Sequence, residues 1–235
     1  MPSNTTPTGH PKGLAVLFAT EMWERFNYYG MRAILVLFLT KALLVDKAFA
    51  SNLYGSYTSL VYLTPLLGGY IADRYWGNQR SIIIGGLLMA LGEFVLFFCA
   101  SIYQSSADLS TILFFTGLGL MITGNGFFKP NISTMVGQLY HENDSRRDAG
   151  FSLFYAGINI GAFLGGTIMI LVAKNVSWNA AFFLVAVAMC ISLLVFLLTK
   201  SSFGSIGLSP LRQMPSVPRL TREALIYAAS LLAIL

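Results

Sequence analysis

Six long apolar segments follow one another along the chain, and they constrain its fold more than any other feature. Each is long enough for an α-helix to cross a hydrocarbon core of about 30 Å. Only 11% of the 235 residues are charged, whereas soluble domains carry about a quarter. The sequence therefore predicts an all-α polytopic membrane protein and excludes a soluble enzyme, a disordered protein and a disulfide-rich secreted domain. The predicted spans are 13–40, 49–73, 80–103, 108–132, 148–173 and 178–199.

Three other segments complete the predicted organisation. Residues 1–12 are polar, and residues 200–222 are rich in Ser, Gly and Pro, which is typical of a linker. An apolar run then reaches Leu235 after about half the length that a span needs. We therefore expect residues 13–199 to form a six-helix transmembrane bundle and residues 223–235 to be the truncated start of a further helix.

The Lys and Arg residues outside the spans are shared unequally between the two sets of loops. Cytoplasmic loops collect basic residues, so this bias predicts that the N-terminus and the linker are cytoplasmic in a multi-pass protein of the cell (inner) membrane. The net charge of +5 is then a topology signal and does not indicate nucleic-acid binding. Nine basic residues lie on the predicted cytoplasmic side (Lys12, Arg74, Arg80, Arg146, Arg147, Lys200, Arg212, Arg219 and Arg222) and three on the other (Lys41, Lys47 and Lys174).

Ionisable residues also lie inside the spans, and four of them crowd into the first. At 100° per residue, these four and Tyr28 fall within an arc of about 100°, so one face of this helix is polar. Charges at the bilayer centre are costly, and such a helix needs polar partners or a water-filled cavity. Lys129 on the fourth span is the obvious cationic partner for a carboxylate of the first. The six residues are Glu21, Glu24, Arg25, Arg32, Glu93 and Lys129.

Two interpretations of these buried charges stay open. They can be ion pairs that only fix helix packing, although buried charges more often line a pathway. Glu93 stands alone on its span, and a protonated or locally paired structural role explains it at least as well as a functional one.

Four motifs occur in order along the chain. Residues 21–26 read Glu-x-x-Glu-Arg-Phe, followed by Tyr-Tyr-Gly at 28–30; residues 126–133 read Gly-Phe-Phe-Lys-Pro-Asn-Ile-Ser; residues 154–161 read Phe-Tyr-Ala-Gly-Ile-Asn-Ile-Gly. The loop at 69–80 resembles the cytoplasmic loop motif of the major facilitator superfamily. Together the motifs resemble the proton-dependent oligopeptide transporters (POT/PTR family) of that superfamily. The resemblance covers about residues 12–200, which in that family is the N-terminal six-helix bundle, so it implies that the C-terminal six-helix bundle is missing from this chain.

The resemblance implies a role for each matching residue. Arg32 and Lys129 would bind the terminal carboxylate of a peptide, which suits a bidentate guanidinium and an ammonium. The cavity would be lined by Tyr28, Tyr29, Tyr62, Tyr155 and Asn159. Proton coupling would involve Glu21, Glu24, Arg25 and Lys129. Asp73, Arg74 and Arg80 would make loop contacts that stabilise one conformation.

One position departs from the family pattern. Some members carry a histidine on the second helix, and Gly55 stands at that position here. The histidines of this chain, His10 and His141, lie outside the predicted spans. We therefore expect the carboxylates to carry the proton coupling.

The leading hypothesis is proton-coupled symport of di- and tripeptides by alternating access. The alternatives are a related transporter of another anionic solute, such as nitrate or a peptide-like drug, and a non-transporting membrane scaffold or sensor. No nucleophile–base set or metal-ligand set can be assembled from the spans, so no enzyme activity is expected, and no cofactor beyond the proton. The expected partners are the peptide, the proton, the lipid bilayer and the C-terminal bundle.

Overall fold

A computed structural model describes residues 9–210 and residue 229. Within these residues the chain is helical and contains no strand, which confirms the predicted all-α class. Residues 1–8 and nearly all of 211–235 lie outside the described residues, and so does the predicted start of a further helix. The six long helices of residues 9–210 are Lys12–Lys41 (α1), Lys47–Ile71 (α2), Asn78–Ile102 (α3), Ala107–Gln138 (α4), Arg147–Asn175 (α5) and Trp178–Thr199 (α6).

Each predicted span coincides with one helix, and the largest difference is at the end of α4. The prediction ended this span at residue 132, two residues after Pro130, whereas α4 continues to Gln138. The last turns are buried against the bundle, with Met135 and Val136 both fully covered. Packing of this apolar face therefore outweighs the local preference to end the helix near a proline.

Side-chain caps fix two of the helix starts. The carboxylate of Asp46 accepts hydrogen bonds from the backbone N–H groups of Ala48 and Phe49 at 2.8 and 3.2 Å, at the start of α2. The hydroxyl of Ser177 accepts from the N–H of Ala180 at 3.2 Å, at the start of α6. Such bonds satisfy N–H groups that have no partner within the helix.

Helices α1, α3, α4 and α6 form the centre of the bundle, with α2 packed on α4 and α5 packed on α1. The aromatic ring of Phe38 contacts four other rings at one end of this centre, with centroid distances between 5.1 and 6.3 Å. Aromatic contacts of this geometry stabilise a core beyond simple burial. The four rings belong to Tyr103, Phe114, Trp178 and Phe182.

Glycines bring α5 against α1, as their spacing of four residues predicts. A Cβ atom at Gly157 would meet the ring of Phe18, and a Cβ atom at Gly161 or Gly165 would collide with the α1 backbone. On α4, Gly119 differs from its neighbouring glycines because a Cβ atom there would meet nothing within 4 Å.

The segments predicted to be cytoplasmic meet at one end of the bundle. His10 Nδ1 and the hydroxyl of Tyr140 form a hydrogen bond of 2.8 Å, which joins the N-terminal segment to the α4–α5 connection. Gln79 at the start of α3 bonds to the carbonyl groups of Ile206 and Gly207 at 2.6 and 2.9 Å. Residues 200–210 of the predicted linker therefore pack against the bundle.

Four of the described helices are apolar and long enough to cross a membrane by length and composition: α3, α4, α5, and α6 with its continuation to Phe203. The two remaining long helices, α1 and α2, do not meet this criterion of length and composition. Helix α1 contains internal charges, and α2 is rich in Tyr, Ser, Thr and Gly.

Candidate functional site

Two carboxylates and one guanidinium form a buried ion cluster on α1, composed of Glu21, Glu24 and Arg25. Arg25 Nε lies 3.0 Å from Glu21 Oε1 and 2.5 Å from Glu24 Oε2. All three side chains are at most 2% exposed. The spacing of one helical turn between Glu21 and Arg25 places them side by side, so the local sequence alone creates this pairing.

The buried ion cluster is incompletely satisfied. Asn125 Nδ2 on α4 donates to Glu24 Oε1 at 3.5 Å. Within the part of the chain that the structure describes, Glu21 Oε2 and Arg25 Nη2 are buried without a hydrogen-bond partner. Buried polar atoms without partners are rare in folded proteins, and they favour internal water or a second arrangement of these side chains.

A second group, the cation–aromatic cluster, lies next to the first and consists of Tyr28, Arg32, Tyr54, Tyr62 and Lys129. Arg32 Nε donates to the hydroxyl of Tyr54, and its guanidinium lies 5.1 Å from the centre of that ring. Lys129 Nζ lies 4.9 Å from the centre of the Tyr62 ring. Arg32 also interacts electrostatically with Tyr28 and Tyr62, so the two cations and the tyrosines share one region.

Tyr28 joins the two clusters. The guanidinium of Arg25 lies 5.2 Å from the centre of its ring, and its ring contacts that of Tyr29 edge to face at 5.1 Å. Within the described residues its buried hydroxyl has no hydrogen-bond partner.

Lys129 was expected to pair with a carboxylate of α1, and the structure instead gives that contact to Arg25. Among the described residues Lys129 has no ion pair within 4.0 Å, although it interacts electrostatically with both Glu21 and Glu24. Its half-buried ammonium lies on an aromatic face. This arrangement leaves the N–H donors of Lys129 available to an anion.

Two residues that the resemblance assigned to the cavity are exposed and have no recorded contact with these clusters. Tyr155 is 61% exposed on α5, and Asn159 is also exposed. Asn159 Nδ2 donates to the carbonyl of Tyr155 at 3.0 Å, a bond within its own helix. In this conformation the structure records no contact that joins either side chain to Arg32 or Lys129.

Residues that were not singled out from the sequence also hold the loop motif. Asp73 and Arg74 are exposed on a π-helical segment, Ala72–Trp76, and Arg80 is half-buried. Asn78 Nδ2 donates to Asn131 Oδ1 at 2.9 Å, which connects α3 to α4. Gln138 Nε2 adds a bond to Asn78 Oδ1 at 3.2 Å.

Sequence reasoning also missed four polar residues of the interior: Asn27, Tyr54, Tyr57 and Asn125. Tyr54 and Tyr62 are eight residues apart on α2, a spacing that places them near one helix face. That signal could have identified Tyr54. Nothing in the sequence distinguishes the two asparagines from others, because their partners lie on different helices.

Comparison with known proteins identifies the family of this chain. Residues 79–222 match the POT family. The chain is 41% identical over 219 residues to a di-/tripeptide transporter of Lactococcus lactis subsp. lactis (strain IL1403), covering 90% of this chain and 42% of that protein. It is 40% identical over 205 residues to the uncharacterized transporter YclF of Bacillus subtilis (strain 168), covering 85% of this chain and 40% of that protein.

Solved structures show the same relationship. A crystal structure of peptide transporter POT in complex with sulfate superimposes with a TM-score of 0.82 at 38% identity, covering 97% of this chain and 46% of that one. A POT family transporter in complex with 5-aminolevulinic acid gives a TM-score of 0.81 at 34% identity, covering 97% and 46%. This chain thus spans about two fifths of the length of the curated relatives it matches. These relatives are transporters and not enzymes, and the chain is an integral membrane protein that belongs to the POT family.

Proposed function

We propose that this chain forms the peptide-carboxylate site and the proton-coupling carboxylates of a transporter that carries di- and tripeptides together with protons. The observation that carries the proposal is the contact between two clusters: an anion-binding pair, Arg32 and Lys129, beside the buried ion cluster of α1. The similarity to a di-/tripeptide transporter of Lactococcus lactis supports the choice of substrate.

The cation–aromatic cluster suits the carboxylate end of a small peptide. Arg32 can bind a carboxylate through two parallel N–H groups, and Lys129 adds a point charge. The tyrosine rings pack against apolar side chains of varied shape and still donate hydrogen bonds. Such a site recognises the backbone ends of a peptide and tolerates many side chains.

The buried ion cluster suits proton coupling. Arg25 Nε contacts both Glu21 and Glu24, so protonation of either carboxyl weakens its bond to Arg25. The proton and the guanidinium therefore compete for the same oxygen atoms. That competition links proton binding to the position of α1, on which Arg32 also lies. Because Gly55 replaces the histidine of some family members, the carboxylates carry this role.

The same proposal includes six membrane crossings. A helix of 30 residues spans about 45 Å and one of 25 residues about 38 Å, so α1 and α2 are long enough to cross. The charges of α1 face inward, since Glu21, Glu24 and Arg25 are buried within the bundle. The basic ends that meet beside Tyr140 and Gln79 are on the cytoplasmic side of the cell (inner) membrane. A C-terminal six-helix bundle completes the transporter.

Uptake of a labelled dipeptide into proteoliposomes tests the proposal in the full-length transporter. We expect an inward proton gradient to drive accumulation. The substitution Lys129→Ala abolishes this accumulation, whereas Lys174→Ala, which removes an exposed lysine at the end of α5, leaves it intact. Absence of dipeptide uptake by the wild type contradicts peptide transport. Full uptake by Lys129→Ala shows that the lysine is structural and that the carboxylate site lies elsewhere.

Competition with the labelled dipeptide identifies the class of solute that the transporter carries. A related structure contains 5-aminolevulinic acid, a small molecule with an amine and a carboxylate. Because Arg32 and Lys129 recognise the carboxylate, we expect an unlabelled dipeptide and 5-aminolevulinic acid to compete with the labelled dipeptide and nitrate to compete weakly. Strong competition by nitrate alone favours a transporter of inorganic anions.

A further inference from the structure

Glu93 on α3 is a carboxyl group in the interior of the bundle, away from the buried ion cluster. Its side chain is 0% exposed. Asn27 Nδ2 on α1 donates to Glu93 Oε1 at 3.1 Å and also to the carbonyl of Val185 on α6 at 3.0 Å. Among the described residues, Glu93 Oε2 has no hydrogen-bond partner.

The helices packed around Glu93 supply no cation to it in the described part of the chain. Gly92 packs on α4 against the carbonyl of Gly117 and the side chains of Leu120 and Met121, which are apolar. Helix α6 carries no Asp, Glu, Lys, Arg or His, and its titratable residue is Cys190. From α2 the phenol of Tyr57 interacts electrostatically with Glu93, and from α1 the contacting group is the neutral amide of Asn27.

An ionised carboxylate in this position would be buried without a counter-charge, which is costly in a protein interior and more so in a membrane. A protonated carboxyl removes that cost. Its Oε1 accepts the bond from Asn27, and its Oε2 carries an O–H donor. These surroundings therefore favour the protonated form of Glu93 over the carboxylate.

Tyr57 provides a connection from Glu93 to the buried ion cluster. The side chain of Tyr57 is 1% exposed, and its hydroxyl has no partner among the described residues. Tyr57 interacts electrostatically with Glu93, with Tyr28 and with Glu24, so it lies within electrostatic range of both carboxyl groups. The unpartnered hydroxyls of Tyr57 and Tyr28 favour ordered water between them, because buried polar groups are normally satisfied.

We propose that Glu93 is a further proton-carrying residue, which exchanges its proton with Glu24 by way of the Tyr57 hydroxyl. In this step Glu93 Oε2 gives one proton to Tyr57, and Tyr57 releases its own proton through water or Tyr28 to Glu24. O–H bonds break and form, one proton is moved, and nothing is oxidised or reduced. Helix α1 then contacts both proton sites, through Glu24 and through Asn27. The inference rests on the proposed function for its use in proton coupling.

The variant Glu93→Gln tests the inference in the full-length transporter, because Gln has the shape of a protonated Glu but cannot release a proton. Two assays are compared in proteoliposomes: accumulation driven by a proton gradient, and exchange of labelled for unlabelled dipeptide without a gradient. We expect loss of gradient-driven accumulation with exchange retained. Glu142→Gln, which changes an exposed carboxylate of the α4–α5 connection, is the matched control and keeps both activities.

Two results would overturn the inference: wild-type activity of Glu93→Gln in both assays, or loss of both assays in a protein that still folds, which indicates packing alone. If Glu93→Gln does not fold, the variant Tyr57→Phe tests the inference in the same two assays. It removes one unpartnered hydroxyl, so a structural role predicts no change, whereas the proposal predicts slower gradient-driven uptake and normal exchange.

Infrared spectroscopy tests the proton on Glu93 without transport. The wild type at neutral pH should show a protonated-carboxyl C=O band that is absent from Glu93→Gln. Absence of this band from the wild type contradicts the inference. A wild type that shows the band but transports no peptide refutes the proposed function and leaves the proton on Glu93 established.

Discussion

Two arginine–carboxylate clusters of this protein use the same chemistry in different surroundings. The buried ion cluster places Arg25 against Glu21 and Glu24 with at most 2% exposure. The loop cluster, Asp144 and Arg146, is half-buried in the connection between α4 and α5. There Arg146 Nε and Nη2 donate to the two oxygens of Asp144 at 2.9 and 2.6 Å.

The two clusters differ in what their hydrogen bonds accomplish. At the loop cluster, the side-chain and backbone hydrogen bonds from Arg146 lower the pKa of Asp144 to about 2. That pair orders a turn next to the N-terminal segment, since Arg146 also donates to the carbonyl of Gly9. In the buried ion cluster one guanidinium serves two carboxylates, and some of its polar atoms have no hydrogen-bond partner among the described residues. A cluster with spare proton sites in a low-dielectric interior suits switching, and a well-paired loop cluster suits local order.

Removal of the arginine is expected to have the largest effect on stability. Arg25→Met leaves two buried carboxylates without their cation, and breaking a buried pair in this way costs about 3–5 kcal/mol. Thermal unfolding of the detergent-solubilised protein measures the loss. The variant with Glu21→Gln, Glu24→Gln and Arg25→Met together should recover most of it, because a neutral replacement of similar volume leaves no buried charge. A stable Arg25→Met single variant would contradict the idea that the cluster is held by charge pairing.

A smaller effect is expected when the packing of α5 against the buried ion cluster is disturbed. A Cβ atom at Gly161 would lie 2.9 Å from Arg25 Cβ and would collide with the α1 backbone. Gly161→Ala should therefore destabilise the protein by about 1–3 kcal/mol through overpacking. Gly166→Ala, on the same helix, meets nothing within 4 Å and should be neutral or slightly stabilising. Equal effects of the two variants would show that α5 does not position Arg25.

The smallest effect is expected at the loop cluster of Asp144 and Arg146. The folded pKa of Asp144 lies below its unfolded value of about 4, so the stability that this pair contributes is present above about pH 4. It is lost as the pH falls through the folded pKa near 2. Asp144→Asn should lower the melting temperature slightly at neutral pH, and the difference from the wild type should vanish near about pH 2. A difference that grows on acidification would contradict the assignment.

The helices and the polar face of α1 could be predicted from the sequence, and the partners of that face could not. Long apolar segments must become helices because the bilayer offers no partner for backbone N–H and C=O groups. The Glu21–Arg25 pair follows from a spacing of four residues on one helix. By contrast, Lys129 lies over Tyr62 and Arg32 over Tyr54, and each contact depends on how two helices rotate and pack.

Glu93 shows most clearly what could be predicted from the sequence and what could not. Its position in an apolar span revealed that it is unusual, and nothing in the sequence connected it to Asn27, which is 66 residues away along the chain. The exposure of Tyr155 and Asn159 could not be predicted from the sequence either. A match to a motif does not specify which face of α5 turns toward the cation–aromatic cluster.

The sequence by itself determined that this chain is a helical membrane protein, because hydrophobic length and short-range charge spacing act within single helices. Its four motifs supplied the resemblance to a transporter family. Only the tertiary structure decided which groups of other helices these residues meet. Glycine contacts set how closely α5 approaches α1, and inter-helix distances place Lys129 over the ring of Tyr62 and Glu93 against the neutral amide of Asn27. Electrostatic energy in a low-dielectric interior depends steeply on those distances, and the distances belong to the packed bundle and not to any one segment.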